Sequence, residues 1–215
     1  RTKGWELMLT WNDAFKLANK PFRYNLSVGL ADNTSEITKF DNPSKILSDY
    51  YVGQKLGDIW GYVVDGLFRT DEEAANYNVD QTAVNFVINT AQVNPGLHAG
   101  DMKFVDLDGD HTISSGSNTA DDPGDRKIIG NSLPRYTYSI QGGFDWYGFD
   151  FSIYLQGVGH QDWYPGTNSV FFWGPYARPY SSFIPRDFLS QVWSPENPDA
   201  YFLSLIHISE PTRPY

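Results

Sequence analysis

Residues 136–157 read YTYSIQGGFDWYGFDFSIYLQG, and this stretch decides the fold. Tyr136, Tyr138, Ile140, Gly142, Phe144 and Trp146 alternate with Thr137, Ser139, Gln141, Gly143 and Asp145. After Tyr147-Gly148 the alternation resumes, with Phe149, Phe151, Ile153, Leu155 and Gly157 set against Asp150, Ser152, Tyr154 and Gln156. Successive side chains of a strand point to opposite faces, so each half carries one apolar and one polar face. Tyr147-Gly148 fits a tight hairpin connection between them.

The same period appears near the start of the chain. Residues 4–11 place Trp5, Leu7, Leu9 and Trp11 on one face, and residues 22–30 do so with Phe22, Tyr24, Leu26, Val28 and Leu30. Strands are therefore expected at about 3–11, 22–31, 136–146 and 149–157, paired antiparallel as 4–11 with 22–30 and 136–146 with 149–157. Segments of about nine to eleven residues suit tilted strands crossing a bilayer, and aromatics at their ends suit the interfacial girdles of an outer-membrane barrel. A soluble antiparallel sandwich alternates in the same way, so periodicity alone leaves both open.

Long loops are expected at about 32–134 and 159–202. The first is too long for a hairpin loop and needs structure or function of its own. Within it, Thr70-Asp71-Glu72-Glu73 is a capping-box pattern that predicts a short helix over 71–77, with a second over 80–91. Short turns at one end of the strands and long loops at the other are the asymmetry of outer-membrane barrels.

Composition narrows the classes further. The 215 residues hold 16 Lys/Arg against 26 Asp/Glu, a formal charge of −10, with 16% aromatic residues and no cysteine. The acidity excludes a binder of nucleic-acid backbones, which needs a basic face. The absence of cysteine excludes disulfides and thiolate chemistry. The four histidines, His98, His111, His160 and His207, are scattered, and no catalytic elbow, phosphate loop or nucleotide fingerprint is present. Glu72 and Glu73 read as helix-start charge rather than an acid/base pair. The expected protein is not an enzyme and has no catalytic residues.

Four blocks, in order, carry a family resemblance: GDIWGYVVDGLF at 57–68, GDMKFVDLDGD at 100–110, DRKIIGNSLPRYTY at 125–138 and VWSPENPDA at 192–200. Together they resemble the SusC/RagA family of TonB-dependent outer-membrane transporters, over nearly all of residues 1–202. The resemblance implies a segment of the C-terminal third of a 22-stranded barrel with a plug inside, in the outer membrane of a Gram-negative bacterium. It also implies import of oligosaccharides or peptides with a SusD-like surface lipoprotein, TonB engaged through a missing N-terminal part, and a segment inactive by itself.

Asp106-Leu107-Asp108-Gly109-Asp110 places carboxylates at positions 1, 3 and 5 of a calcium loop, the oxygen-rich pattern that a hard cation requires. Thr112 would add a backbone carbonyl and Ser114 a water-mediated contact. The family's version resembles an EF-hand-like loop closed by an acidic residue before Arg-x-Ile-Ile-Gly, which is Asp125 here. His111 stands where a glycine is usual, and residues 115–124 displace the closing position. Calcium is the only cofactor expected. Trp163, Tyr164, Phe172, Trp173 and Tyr176 form an aromatic loop suited to a partner or a sugar ring.

After Tyr201-Phe202 the sequence changes character. LSLIHISEPTR at 203–213 resembles the translation of a transposase-type sequencing adapter, so residues 203–215 are expected to be non-native. The alternative reading of the whole is a secreted soluble β-sandwich that binds carbohydrate and is stabilised by a calcium loop. It requires a second sheet over the apolar face.

Overall fold

The computed structural model describes residues 1–84, 97–165, 175 and 184–204. The chain is all-β. Its strands are β1 (Thr2–Leu17), β2 (Lys20–Ser35), β3 (Asp58–Tyr62), β4 (Val64–Leu67), β5 (Met102–Phe104), β6 (Arg126–Asn131), β7 (Arg135–Trp146) and β8 (Phe149–His160). The described helical elements are α1 (Asp71–Ala75) and a 3-10 turn, Phe188–Gln191. No described helix is long and apolar enough to cross a membrane. The chain divides into two compact units, one of residues 1–59 with 130–163 and one of residues 60–129 with 164–215.

The first unit is built on an antiparallel sheet ordered β1-β2-β7-β8. β1 runs past Trp11 because Phe15 and Leu17 keep the apolar phase after Asn12-Asp13-Ala14 interrupts it. Its turn to β2 is two residues, Ala18 and Asn19, both at positive φ, and the β7–β8 turn repeats this at Tyr147 and Gly148. Positive φ at both central positions matches the right-handed twist of the flanking strands. Both turns lie at one end of the sheet, since Phe22 pairs with Trp146. Residues 36–134 leave and return at the other end. The β2–β7 pairing across that insertion is the contact that joins the two hairpins.

Directly opposed residues share a face. One face carries the rows Phe15–Phe22–Trp146–Phe149, Asp13–Tyr24–Phe144–Phe151, Trp11–Leu26–Gly142–Ile153, Leu9–Val28–Ile140–Leu155 and Leu7–Leu30–Tyr138–Gly157, with Asp13 near the turn end as the charged member of these rows. The other carries Asn12–Asn25–Gly143–Ser152 and Thr10–Ser27–Gln141–Tyr154. No residue of the four strands is buried, and Phe149 is 68% exposed. Within this unit, among the described residues, there is no second sheet over the apolar face of the kind the sandwich reading requires.

From Phe15 to Trp5 is ten residues, about 34 Å along the strand, or roughly 26 Å of height at a ~40° tilt. An outward apolar band on a membrane barrel is about 25 Å tall. Aromatics gather at the turn end: Phe22 stacks on Phe144 and Phe144 on Phe151, each pair at 5.4 Å. The Trp11 Nε1 donates to the Tyr24 hydroxyl at 3.3 Å. At the opposite end Tyr136 departs from the alternation with φ of 54°, and Arg135 swings to a bidentate pair with Asp32, at 2.5 and 2.6 Å.

A clasp closes the base of the long insertion within this unit. The Asn131 side chain donates to the Leu56 carbonyl and to Asp58, both at 3.0 Å. Its backbone N–H donates to Asp162 at 2.7 Å, and the Ser132 N–H to the Gly57 carbonyl at 2.8 Å. Gly57 has φ of 87°, and a Cβ there would lie 2.5 Å from Asn131 Oδ1. Gly57→Ala is expected to weaken the clasp by about 1–3 kcal/mol through backbone strain. Hydrogen exchange at Asn131 and Ser132 reads it, and unchanged rates would count against the clasp.

The second unit holds most of the buried apolar side chains: Phe68, Ala74, Phe104 and Ile113, and separately Phe188, Val192 and Trp193. β4 pairs with β5, and β3 with β6. Thr70 caps α1 by accepting from the Glu73 N–H at 3.1 Å, while the Glu73 carboxylate accepts from the Arg69 N–H at 2.9 Å. The helix ends at Ala75, short of Tyr77, whose ring turns edge-on to Phe68 at 5.1 Å. Asp80 forms a parallel bridge with Thr112 instead of opening a helix, residues 82–84 form a turn, and residues 85–91 of the expected second helix lie outside the described residues. Buried Gln81 donates to the Met102 carbonyl at 2.7 Å. Leu203 packs against the Phe188 and Val192 cluster, and the buried Ser204 N–H donates to the Gly100 carbonyl at 3.0 Å. Residues 205–215 lie outside the described residues.

Candidate functional site

The acidic loop begins where β5 ends. Asp106 accepts backbone N–H groups from Gly109 at 2.6 Å and His111 at 2.9 Å, which curls the chain into a turn. Gly109 and His111 both sit in the left-handed region, with φ of 82° and 63°. A non-glycine residue there is uncommon, and histidine is among the more tolerant. The Asp106 carboxylate holds the His111 backbone, and the His111 ring Nδ1 lies 4.0 Å from it.

Asp125 arrives from eleven residues beyond Ser114. It is fully buried, and its two oxygens accept from the Leu107 and Ser114 N–H groups, each at 2.7 Å. The intervening residues fold back on a glycine neck. A Cβ on Gly124 would lie 2.5 Å from the Gly116 nitrogen, and one on Gly116 2.6 Å from the Gly124 nitrogen. Inside the excursion Asp122 accepts from the Ser117 N–H and hydroxyl at 2.9 and 2.5 Å. Arg126 ties it down by donating to the Ser115 carbonyl and to Asn118, both at 2.9 Å. The glycine neck and this arginine are the structural residues that the sequence reading did not single out. Their signal was two glycines flanking a polar run just before an Asp-Arg pair.

Carboxylate oxygens of Asp106, Asp108 and Asp125 lie within 4.8 Å of one another. Two oxygens on opposite sides of a calcium ion, each at about 2.4 Å, are about 4.8 Å apart, so the separations here are of the same order as those around one hard cation. Asp110 stands outside this group; its carboxylate accepts from the Thr112 N–H at 2.7 Å in a local turn. Ser114 is on the loop with its hydroxyl accepting from the Gly116 N–H at 3.1 Å.

The electrostatics follow from the packing. Partial burial works to raise the Asp106 carboxyl, and the Gly109 and His111 N–H groups outweigh it, leaving it below the ordinary carboxylate range. At Asp108 the Asp110 N–H pulls downward. Desolvation and the negative charges of Asp110, Asp125 and Asp106 prevail and push it above that range. Crowded like charge of this kind is what a divalent cation would offset.

Of the aromatic residues singled out in sequence, Trp163 and Tyr164 are exposed, at 74% and 57%. Phe172, Trp173 and Tyr176 lie outside the described residues.

No family model matches the chain. Two curated proteins of Formosa agariphila are similar to it. "TonB-dependent receptor P39" is 28% identical over 174 residues, covering 70% of this chain and 16% of that protein. "TonB-dependent receptor P3" is 22% identical over 167 residues, covering 72% of this chain and 14% of that protein. The matched stretch thus spans about a sixth or less of these relatives. Both relatives carry the name TonB-dependent receptor, and the similarity to this chain extends over that stretch of each.

Proposed function

We propose that the chain is a wall segment of a SusC/RagA-type TonB-dependent transporter in the outer membrane of a Gram-negative bacterium. The observation that carries this reading is the β1-β2-β7-β8 sheet, with one face apolar and uncovered and the other polar. Lipid would cover the first face and the second would line the lumen, because alternate positions on a barrel strand face opposite ways. The short turns would then mark the periplasmic end. The intact protein would import oligosaccharides or peptides, accept a SusD-like lipoprotein as its outer partner and draw energy through TonB. The four ordered sequence blocks support the subfamily. Deleting the full-length gene should abolish TonB-dependent uptake of one fluorescent oligosaccharide or peptide, and affinity purification should recover a surface lipoprotein. Undiminished uptake of every probe tried would overturn the reading.

The acidic loop fits a structural calcium ion held by Asp106, Asp108 and Asp125, with Thr112 and Ser114 supplying further oxygens. Its role would be to fix the fold of the insertion. Calorimetric titration of the full-length protein with calcium should give saturable heat that Asp108→Ala removes. No heat in the parent, or equal heat in the variant, would end this proposal.

A further inference from the structure

The sequence holds two Asp-Gly pairs, Asp65-Gly66 and Asp108-Gly109, and no Asn-Gly pair. Such pairs are open to one spontaneous reaction. The glycine nitrogen attacks the Cγ of the protonated aspartate carboxyl, an N–Cγ bond forms, the Cγ–OH bond breaks, and the hydroxyl leaves with the amide proton as water. Hydrolysis of the resulting succinimide at its other carbonyl gives isoaspartate, with the main chain routed through the side-chain carbon and no net change in mass. The reaction needs a backbone free to bring nitrogen and Cγ together, which glycine permits best.

The two pairs are alike in exposure and in glycine conformation, with φ of 88° at Gly66 and 82° at Gly109 and open space beside both. They differ in how they are held. The Gly109 N–H is committed to the Asp106 carboxylate at 2.6 Å, and the Asp108 carboxylate accepts from the Asp110 N–H at 3.1 Å. Nucleophile and electrophile are thus tied to separate partners. Asp65-Gly66 lies instead on a bulge of β4. Val64 pairs with Phe104 and Leu67 with Met102, so two residues face the one between Met102 and Phe104 and the ladder loses register across them. The Asp65 carboxylate is met by Lys103 Nζ at 3.8 Å, beyond hydrogen-bond range, while that same lysine reaches Glu73 at 3.2 Å.

We propose that Asp65-Gly66 is a site of spontaneous isoaspartate formation in the folded protein, and that the Asp106 turn protects Asp108-Gly109 from the same reaction. The product lengthens the main chain by one carbon at the bulge. It draws the carboxylate away from Lys103, which Glu73 retains.

The test incubates purified full-length protein in detergent with calcium, at neutral pH and physiological temperature, and a second sample in denaturant. Isoaspartyl methyltransferase labelling and fragmentation mass spectrometry place the product. Isoaspartate should build up several-fold faster at position 65 than at 108 in the folded sample, and at comparable rates in denaturant. Asp65→Glu, which keeps the charge, should remove the folded-state signal. Equal folded-state rates, faster reaction at 108, no product at 65, or the same bias in denaturant would each overturn the proposal.

Discussion

Leu26→Arg and Ile153→Arg, placed singly in the full-length protein, are expected to cut the yield of assembled protein in outer-membrane fractions severely. Both residues lie in one row of the apolar face, on either side of Gly142. Leu26 and Ile153 are 44% exposed and carry no polar neighbour within that row of Trp11, Leu26, Gly142 and Ile153. Near mid-height of a lipid-facing wall, a cation costs about 2–4 kcal/mol. That is a large part of the net stability of an ordinary fold. The adjacent positions supply the control. Asn25 and Ser152 share the opposite face with Asn12 and Gly143, so Asn25→Arg and Ser152→Arg should assemble at near-parent yield. Membrane fractions probed after extraction, with heat-modifiable mobility as the folding readout, separate the two pairs. Equal yields for both would refute the assignment of faces. Loss with the Asn25 and Ser152 variants alone would invert it.

The second large effect is expected at Asp125. Its carboxylate is fully buried and receives two backbone N–H groups, one from each side of the acidic loop. Asp125→Ala leaves both donors without an acceptor, at about 1–3 kcal/mol for each, and removes one carboxylate from the acidic cluster. Asp108→Ala is a different kind of change. Asp108 is exposed and repelled by its neighbours, so in chelator its removal should leave the loop as resistant to protease as the parent. Limited proteolysis in chelator and in calcium reads both variants. Asp125→Ala should be cut faster in either condition, and Asp108→Ala should differ from the parent only in calcium. Matching behaviour of the two would mean that Asp125 does not brace the loop.

These expectations show how unevenly the sequence reports on the molecule. Tyr24, Leu26 and Val28, or Phe151, Ile153 and Leu155, announce a strand face by themselves, because period two is a local property of an extended backbone. The stop at Trp11 was misleading for the same reason. Asn12-Asp13-Ala14 breaks the local pattern, yet pairing with Tyr24 and Asn25 carries the strand on to Leu17. The capping box at Thr70 was legible because it acts within one turn, whereas the edge-on contact of Tyr77 with Phe68, just beyond the end of α1, has no sequence signature.

The acidic loop divides in the same way. Asp106, Asp108 and Asp110 stand out from spacing alone, and spacing treats them as equals. Tertiary structure separates them: Asp110 turns to its own chain at Thr112 while Asp125 comes in across an excursion pinched at Gly116 and Gly124. What the sequence by itself determined is the period-two strands, their apolar and polar faces and the carboxylates of the loop, since each depends on neighbours a few residues apart. What only the tertiary structure decided is the joining of β2 to β7 across residues 36–134, the clasp at Asn131 and the burial of Asp125 with both its oxygens on backbone N–H groups. Those depend on hydrogen bonds between distant backbone groups, which form wherever the folded chain brings donors and acceptors together.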